Sequence, residues 1–198
     1  MKFTATSIAG VWLVEMERIE DARGWFARSW CEREFAERGL NPRLAQCSVS
    51  SNKQKGTLRG MHWQVAPHEE AKLVRCLRGA MFDVALDVRQ SSATFKQWFG
   101  VELTSENGRM LYVPEGCAHG FQTLADDTEV LYQISTEWRP DSGRGIRWND
   151  PSFGIPWPLP APSLSPRDAA YADFASSGAG MPAAGENFIA PPPGLSST

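Results

Sequence analysis

The run 72-KLVRCLRGAMFDVALDV-88 decides the architecture. Its apolar residues fall into two short stretches, 72-KLVRCLR-78 and 80-AMFDVALDV-88, separated by Gly79 as a turn signal, and neither carries the 3.6-residue repeat of an amphipathic helix. The pattern continues outward in both directions. Upstream, 44-LAQCSVS-50 and 57-TLRGMHWQ-64 read as strands; downstream, so do 97-QWFGVELT-104, 109-RMLYVP-114, 118-AHGFQTLA-125 and 128-TEVLYQIS-135. Ser91-Ser92, Asn107-Gly108, Pro114-Glu115-Gly116 and Asp126-Asp127 supply the turns between them. About eight strands at this spacing fill a jelly roll, so the expected class is all-β with a few short peripheral helices.

At 198 residues, 42% apolar and 22% charged, the chain has material for one domain with a real core, expected over residues 1–175. One peripheral helix is expected at 31-CEREFAERG-39, closed by Gly39. A second is expected over 165-SPRDAAYADFA-175, with Ser165 at the cap, Pro166 in the first turn and Asp168 at the third position of a capping box. From Ser176 the composition turns to Gly, Ala, Pro and Ser, which cannot bury enough apolar surface to order itself, so 176–198 is expected to be a disordered tail. No internal repeat is visible.

Lys and Arg number 20 against 23 Asp and Glu, so no global positive field draws the chain to nucleic acid or an anionic membrane. Any anionic ligand must be held by local arginines. Glu15 and Glu17 interrupt the apolar patch near the N-terminus and no signal-peptide pattern follows, which gives the expectation of a cytoplasmic protein. Cys31, Cys47, Cys76 and Cys117 form no CxxC and are expected to be reduced, mostly buried thiols.

The reactive side chains inside expected strands are His62, Lys72, His119 and Tyr132. Alternation puts His119 on one face with Phe121 and Thr123, and Tyr132 with Val130 and Ile134, which points both rings inward. Together these groups could supply base, acid and charge stabiliser for proton abstraction beside a carbonyl. Plain structural readings stand beside this: a core histidine, a core tyrosine, a solvent-facing Lys72, and an Asp168 that only favours its helix N-terminus. No HxH pair exists, so a catalytic metal has no sequence support. Neither GxSxG, nor a P-loop, nor GxGxxG occurs.

Taken together, 21-DARGWF-26, 56-GTLRGMHWQ-64, the run 72–98, 113-VPEGCAHGF-121, 131-LY-132, 144-RGIRWNDPSFGIPWP-158 and 164-LSPRD-168 resemble the dTDP-4-dehydrorhamnose 3,5-epimerase family, cupin-type enzymes of nucleotide-sugar biosynthesis. The resemblance implies a jelly-roll (cupin) homodimer without metal or organic cofactor that epimerises a dTDP-linked 4-keto-6-deoxyhexose. It matches His62 to the family's base, Tyr132 to its general acid, Asp168 to the carboxylate that orients the base, and Lys72 and His119 to residues at the sugar and its enolate. Arg23, crossing from the neighbouring subunit, and Arg59 match the arginines on the pyrophosphate. Phe26, Gln46, Ser48 and Trp138 fall among the substrate contacts. The chain departs from the family pattern at Ser48, often Asn; Arg28, often Glu; Gly143, often acidic; Trp138, usually Tyr; and a loop 51-SNKQKG-56 one residue longer. These positions bear on nucleobase, sugar, and whether C3, C5 or both are inverted.

One conflict is left. Residues three apart on a regular strand face opposite ways, yet the resemblance assigns Arg59 and His62 to one site. A bulge or twist at Gly60 is therefore expected.

Overall fold

A computed structural model describes residues 1–174. The expected tail and the end of the expected domain lie outside the described residues. The chain runs through β1 (Lys2–Ala5), β2 (Trp12–Glu15), β3 (Ile19–Asp21), β4 (Gly24–Phe26), α1 (Glu32–Ala36), β5 (Gln46–Asn52), β6 (Leu58–Gln64) and β7 (Lys72–Arg78). It continues through β8 (Ala80–Asp87), β9 (Trp98–Thr104), β10 (Arg109–Val113), β11 (Cys117–Thr123), β12 (Thr128–Ile134), β13 (Gly143–Gly145) and α2 (Pro166–Ala169). Each of the expected strands forms within a few residues of its expected bounds. The four short N-terminal strands and β13 were not expected. No helix among the described residues is long and apolar enough to cross a membrane.

Among the described residues the strands build a six-stranded sheet, β1-β2-β10-β7-β12-β5, a five-stranded sheet, β13-β6-β11-β8-β9, and a separate antiparallel hairpin, β3-β4. The central core joins them: Val74, Cys76, Leu111, Val113 and Val130 from the first sheet pack with Met81, Ala85, Leu103, Cys117 and Phe121 from the second. Alternation then sends the other residues of each strand to an outer layer. Leu73, Met110 and Tyr112 meet Phe35 and Leu40 outside the larger sheet. Met61, Trp63, Val84, Leu86 and Ala118 meet Ile146 and Phe153 outside the smaller one. Phe35 is the reason the short α1 stays in place, since a buried phenyl ring contributes about 2–3 kcal/mol.

Both helices are shorter than expected. Helix α1 ends in a turn where Gly39 takes φ +69° and Leu40 N–H reaches back to the Phe35 carbonyl, so the glycine closes it as its composition suggested. In α2 the Ser165 hydroxyl accepts from the Asp168 N–H, but the carboxylate does not complete a capping box because it is engaged elsewhere. The cysteines divide evenly: Cys76 and Cys117 are buried, whereas Cys31 is half-buried and Cys47 exposed, and all four are free. The expectation of mostly buried thiols fails at Cys47, which lies on the outer side of edge strand β5.

Candidate active site

Strand register determines what faces the space between the sheets. In β11, His119 and Phe121 are two apart and share a face; their partners on β6 are His62 and Arg59, which are three apart. Strand β6 therefore carries one extra residue, and the bulge turns Arg59 to the same side as His62. Gly60 makes this possible with φ +135°, and a Cβ there would sit 2.5 Å from Gly120 Cα. The expected irregularity is present, and it sits where two backbones touch.

The same bookkeeping on the larger sheet sets Tyr132 in register with Val74 on one side and Ser48 on the other, and Ile134 with Lys72 and Gln46. All face inward with the core residue Val74. Lys72 is accordingly buried, not solvent-facing as its strand-end position allowed. Its ammonium is 2.8 Å from Glu70 and 3.4 Å from the His62 carbonyl oxygen. Glu70 in turn accepts from Gln64 at 3.0 Å, so the buried charge is both paired and hydrogen-bonded.

His62 Nε2 lies 2.6 Å from Asp168 Oδ1. The carboxylate accepts a hydrogen bond from Nε2–H, leaving Nδ1 with the basic lone pair. Burial holds the His62 pKa below the ordinary histidine value; Asp168 opposes that shift, and the charges of Arg167 and Lys72 add to it. The ring is therefore neutral near pH 7. Asp168 stays ionised: burial pushes its pKa up, but His62, Arg167 and Ser165 together bring it below the usual carboxylate range. Its helical position and its contact with His62 are compatible, because backbone N–H and carboxylate serve different partners. The ring of Tyr171 packs 5.8 Å from His62, in space that any side chain at Gly145 would fill.

His119 stands opposite His62 on the neighbouring strand and is itself 2.7 Å from Asp83. Its ring is 6.2 Å from that of Tyr132, edge-on. Burial drives the Tyr132 phenol well above its ordinary pKa, with the Ser50 hydrogen bond and the Arg59 charge pulling it down. The cluster thus holds a neutral base, an acid, and a buried cation around one inward-facing space. That combination suits removal of a proton beside a carbonyl and delivery of another.

Other expected residues fall differently. Gln46 Oε1 accepts from the backbone N–H of Trp138 at 2.9 Å, tying the two together at the β5 end of the space, and Ser48 is exposed there. Arg23 and Phe26 are not part of the cluster within this chain. They stand on the β3–β4 hairpin, where the Arg23 side chain is 90% exposed against Asp21 and Phe26 is 73% exposed. Residues that sequence reasoning missed are Ser50, Asn52, Glu70, Asp83 and Tyr171. Asp83 carried a legible signal, an acid in the apolar run 80-AMFDVALDV-88 on the inward parity of Met81 and Ala85. Among the described residues no group of three or more His, Cys, Asp or Glu is arranged to hold a metal ion.

Comparison with known proteins finds relatives both by sequence and by fold. The family model described as dTDP-4-dehydrorhamnose 3,5-epimerase matches residues 5–176. The chain is 44% identical over 158 residues, 80% of its own length and 81% of the relative's, to the dTDP-4-dehydrorhamnose 3,5-epimerase of Sinorhizobium fredii. Among solved structures, it is similar to the dTDP-6-deoxy-D-glucose-3,5-epimerase of Legionella pneumophila in complex with dTDP-4-keto-L-rhamnose, with TM-score 0.83, 38% identity and coverage of 88% of this chain and 93% of that one. It is also similar to a 3'-monoepimerase from Streptomyces bikiniensis in complex with dTDP-quinovose, with TM-score 0.82, 32% identity, and coverage of 87% and 88%.

Proposed function

The chain belongs to the dTDP-4-dehydrorhamnose 3,5-epimerase family, and we propose that it inverts C3 and C5 of a dTDP-linked 4-keto-6-deoxyhexose through an enolate. The observation that carries this reading is the His62–Asp168 pair at 2.6 Å, its other ring nitrogen basic, within one inward-facing cluster with Lys72, His119 and Tyr132.

The hydrogens on C3 and C5 are acidic because each lies beside the C4 ketone. Nδ1 of His62 takes one, the electrons move to the ketone oxygen, and Lys72 and His119 stabilise the charge that develops there. Tyr132 then gives its phenolic proton to the opposite face of the ring, which inverts the carbon. His62 lies on the smaller sheet and Tyr132 on the larger, an arrangement that suits attack from two sides. Arg59 serves the pyrophosphate, as does Arg23 from a neighbouring subunit of a homodimer. The protruding hairpin supports that exchange, since Ile19, Trp25 and Phe26 are exposed apolar groups beside Arg23 with no core of their own to enter. Phe26, Gln46, Ser48 and Trp138 complete the nucleotide and sugar contacts. A nucleotide-linked substrate fits a cytoplasmic location.

Incubating the protein with dTDP-4-keto-6-deoxyglucose in deuterated water is expected to place deuterium at C3 and C5, and the product's NMR spectrum to report inversion at both. Inversion at C3 alone would assign it the specificity named for the Streptomyces bikiniensis relative. No exchange with any dTDP-, CDP- or GDP-linked 4-keto sugar would remove the enzymatic reading and leave a sugar-nucleotide-binding cupin.

A further inference from the structure

Tyr132 has a hydrogen-bond partner that the acid/base scheme does not use. Its hydroxyl lies 3.1 Å from Ser50 Oγ, on the adjacent strand. Ser50 Oγ is in turn 3.3 Å from Asn52 Nδ2, and Asn52 Oδ1 accepts from Arg59 Nε at 2.7 Å. Asn52 is buried at 2% exposure, and its other amide hydrogen goes to the Thr128 carbonyl at 3.0 Å.

This fixes which atom gives and which receives. The Thr128 carbonyl can only accept and the Arg59 guanidinium can only donate, so the Asn52 side chain has one orientation, with its NH2 toward Thr128 and Ser50. Ser50 Oγ must then accept from Asn52, which leaves its own O–H to donate to Tyr132. Neutral phenol and Ser50 can exchange donor and acceptor roles. A phenolate can only accept, and it meets a hydroxyl already polarised by an amide tied to a guanidinium.

Resting on the reading of Tyr132 as general acid, we propose that Ser50, held by Asn52 and Arg59, is a positioning residue that stabilises the Tyr132 phenolate formed when the enolate carbon is protonated. The step balances: the Tyr132 O–H bond breaks as the C–H bond forms, and the electron pair stays on the phenol oxygen, where the Ser50 hydroxyl donates to it. At the end of the turnover His62 carries the abstracted proton. Water removes it, and a solvent proton returns to Tyr132 by way of Ser50, whose hydroxyl touches the phenol and which, like Tyr132, is half-buried. Burial opposes the phenolate, and Ser50 and Arg59 are the two groups that favour it. A hydrogen bond to a charged group contributes enough to change a rate by about 10-fold or more.

The test compares deuterium entry with inversion, using dTDP-4-keto-6-deoxyglucose. With the acid weakened, the enolate still forms and His62 returns a solvent-derived proton to the face it came from. Ser50→Ala is therefore expected to keep exchange within about 2-fold while net inversion falls about 10-fold or more, and Ser50→Thr, which keeps the hydroxyl and suits a strand, to restore the wild-type ratio. Ser50→Gly serves as a second hydroxyl-free variant and is expected to behave like Ser50→Ala. An unchanged exchange-to-inversion ratio in both hydroxyl-free variants overturns the proposal, as does a Ser50→Thr variant as defective as Ser50→Ala. A wild-type protein that neither exchanges nor inverts overturns the epimerase reading itself, a result distinguishable from either of these.

Discussion

The histidines of two histidine–aspartate pairs stand on neighbouring strands in direct register, with nearly equal separations of 2.6 and 2.7 Å from their carboxylates, yet their surroundings differ. The His62 side chain is 27% exposed, and its carboxylate partner comes from the α2 turn, where Ser165 holds its backbone and Arg167 lies nearby. The His119 side chain is 5% exposed, its partner Asp83 comes from the middle of a core strand, and Asp83 Oδ2 is buried without a hydrogen bond. The difference teaches that pairing alone does not assign a role. A base must present one nitrogen to substrate and trade its proton with water, which the accessible pair can do. The sealed pair is better suited to holding the His119 ring in place.

The largest effect that tests this contrast is expected at His62. Replacing it with alanine should cut deuterium incorporation about 1,000-fold while binding of dTDP, followed by calorimetry, persists. Parallel loss of binding and exchange would return His62 to a structural role and erase the distinction.

Asparagine at each carboxylate separates the pairs more finely. Asp168→Asn should lower turnover on the order of 100-fold, because the imidazolium loses its countercharge, with a smaller change in the denaturant midpoint than Asp83→Asn gives. Asp83→Asn should instead act on stability, by about 1–2 kcal/mol in urea unfolding, since it alters a fully buried pair in the core. The reverse assignment of losses would mean that the sealed pair performs the proton transfer.

The smallest effect concerns pH. The folded-state pKa of His62 lies below the histidine norm, so the neutral ring predominates at pH 6.5 and the acid limb of kcat/KM should fall below that value. By linkage, the stability associated with His62 is present above the unfolded pKa and is lost as pH drops through the folded one, because the unfolded chain takes up the proton first. A limb at or above pH 6.5 would show that the Asp168 charge outweighs burial, making this pair electrostatically like a surface one.

Much of the molecule was legible in the chain. Strands β5 to β12 are recovered from alternation and turn residues, because period-2 burial and the backbone preferences of Gly79 or Asn107-Gly108 are local properties. Strands β1 to β4 and β13 escaped because each has three or four residues, too few to show a period. On β3 and β4 every residue is exposed, so no burial alternation exists to be read. The expectation for 165–175 overran because good capping chemistry starts a helix but does not say where packing stops it. Here the helix ends and Tyr171 turns in over Gly145.

The site divides along the same line. His62, Lys72, His119 and Tyr132 were found as reactive groups inside strands, His119 and Tyr132 on inward parities, and the roles of His62, Lys72 and Asp168 by resemblance to a family. What the sequence determined by itself was the fold class, the inward faces of the central strands and, through the family resemblance, the need for an irregularity at Gly60. The tertiary structure decided the rest: the extra residue that brings Arg59 beside His62, the burial of Lys72 against Glu70, the second pair at Asp83, and the path from Tyr132 through Ser50 and Asn52 to Arg59. Each depends on which strands lie side by side and in what register, and register is a property of pairs of distant segments rather than of any one of them.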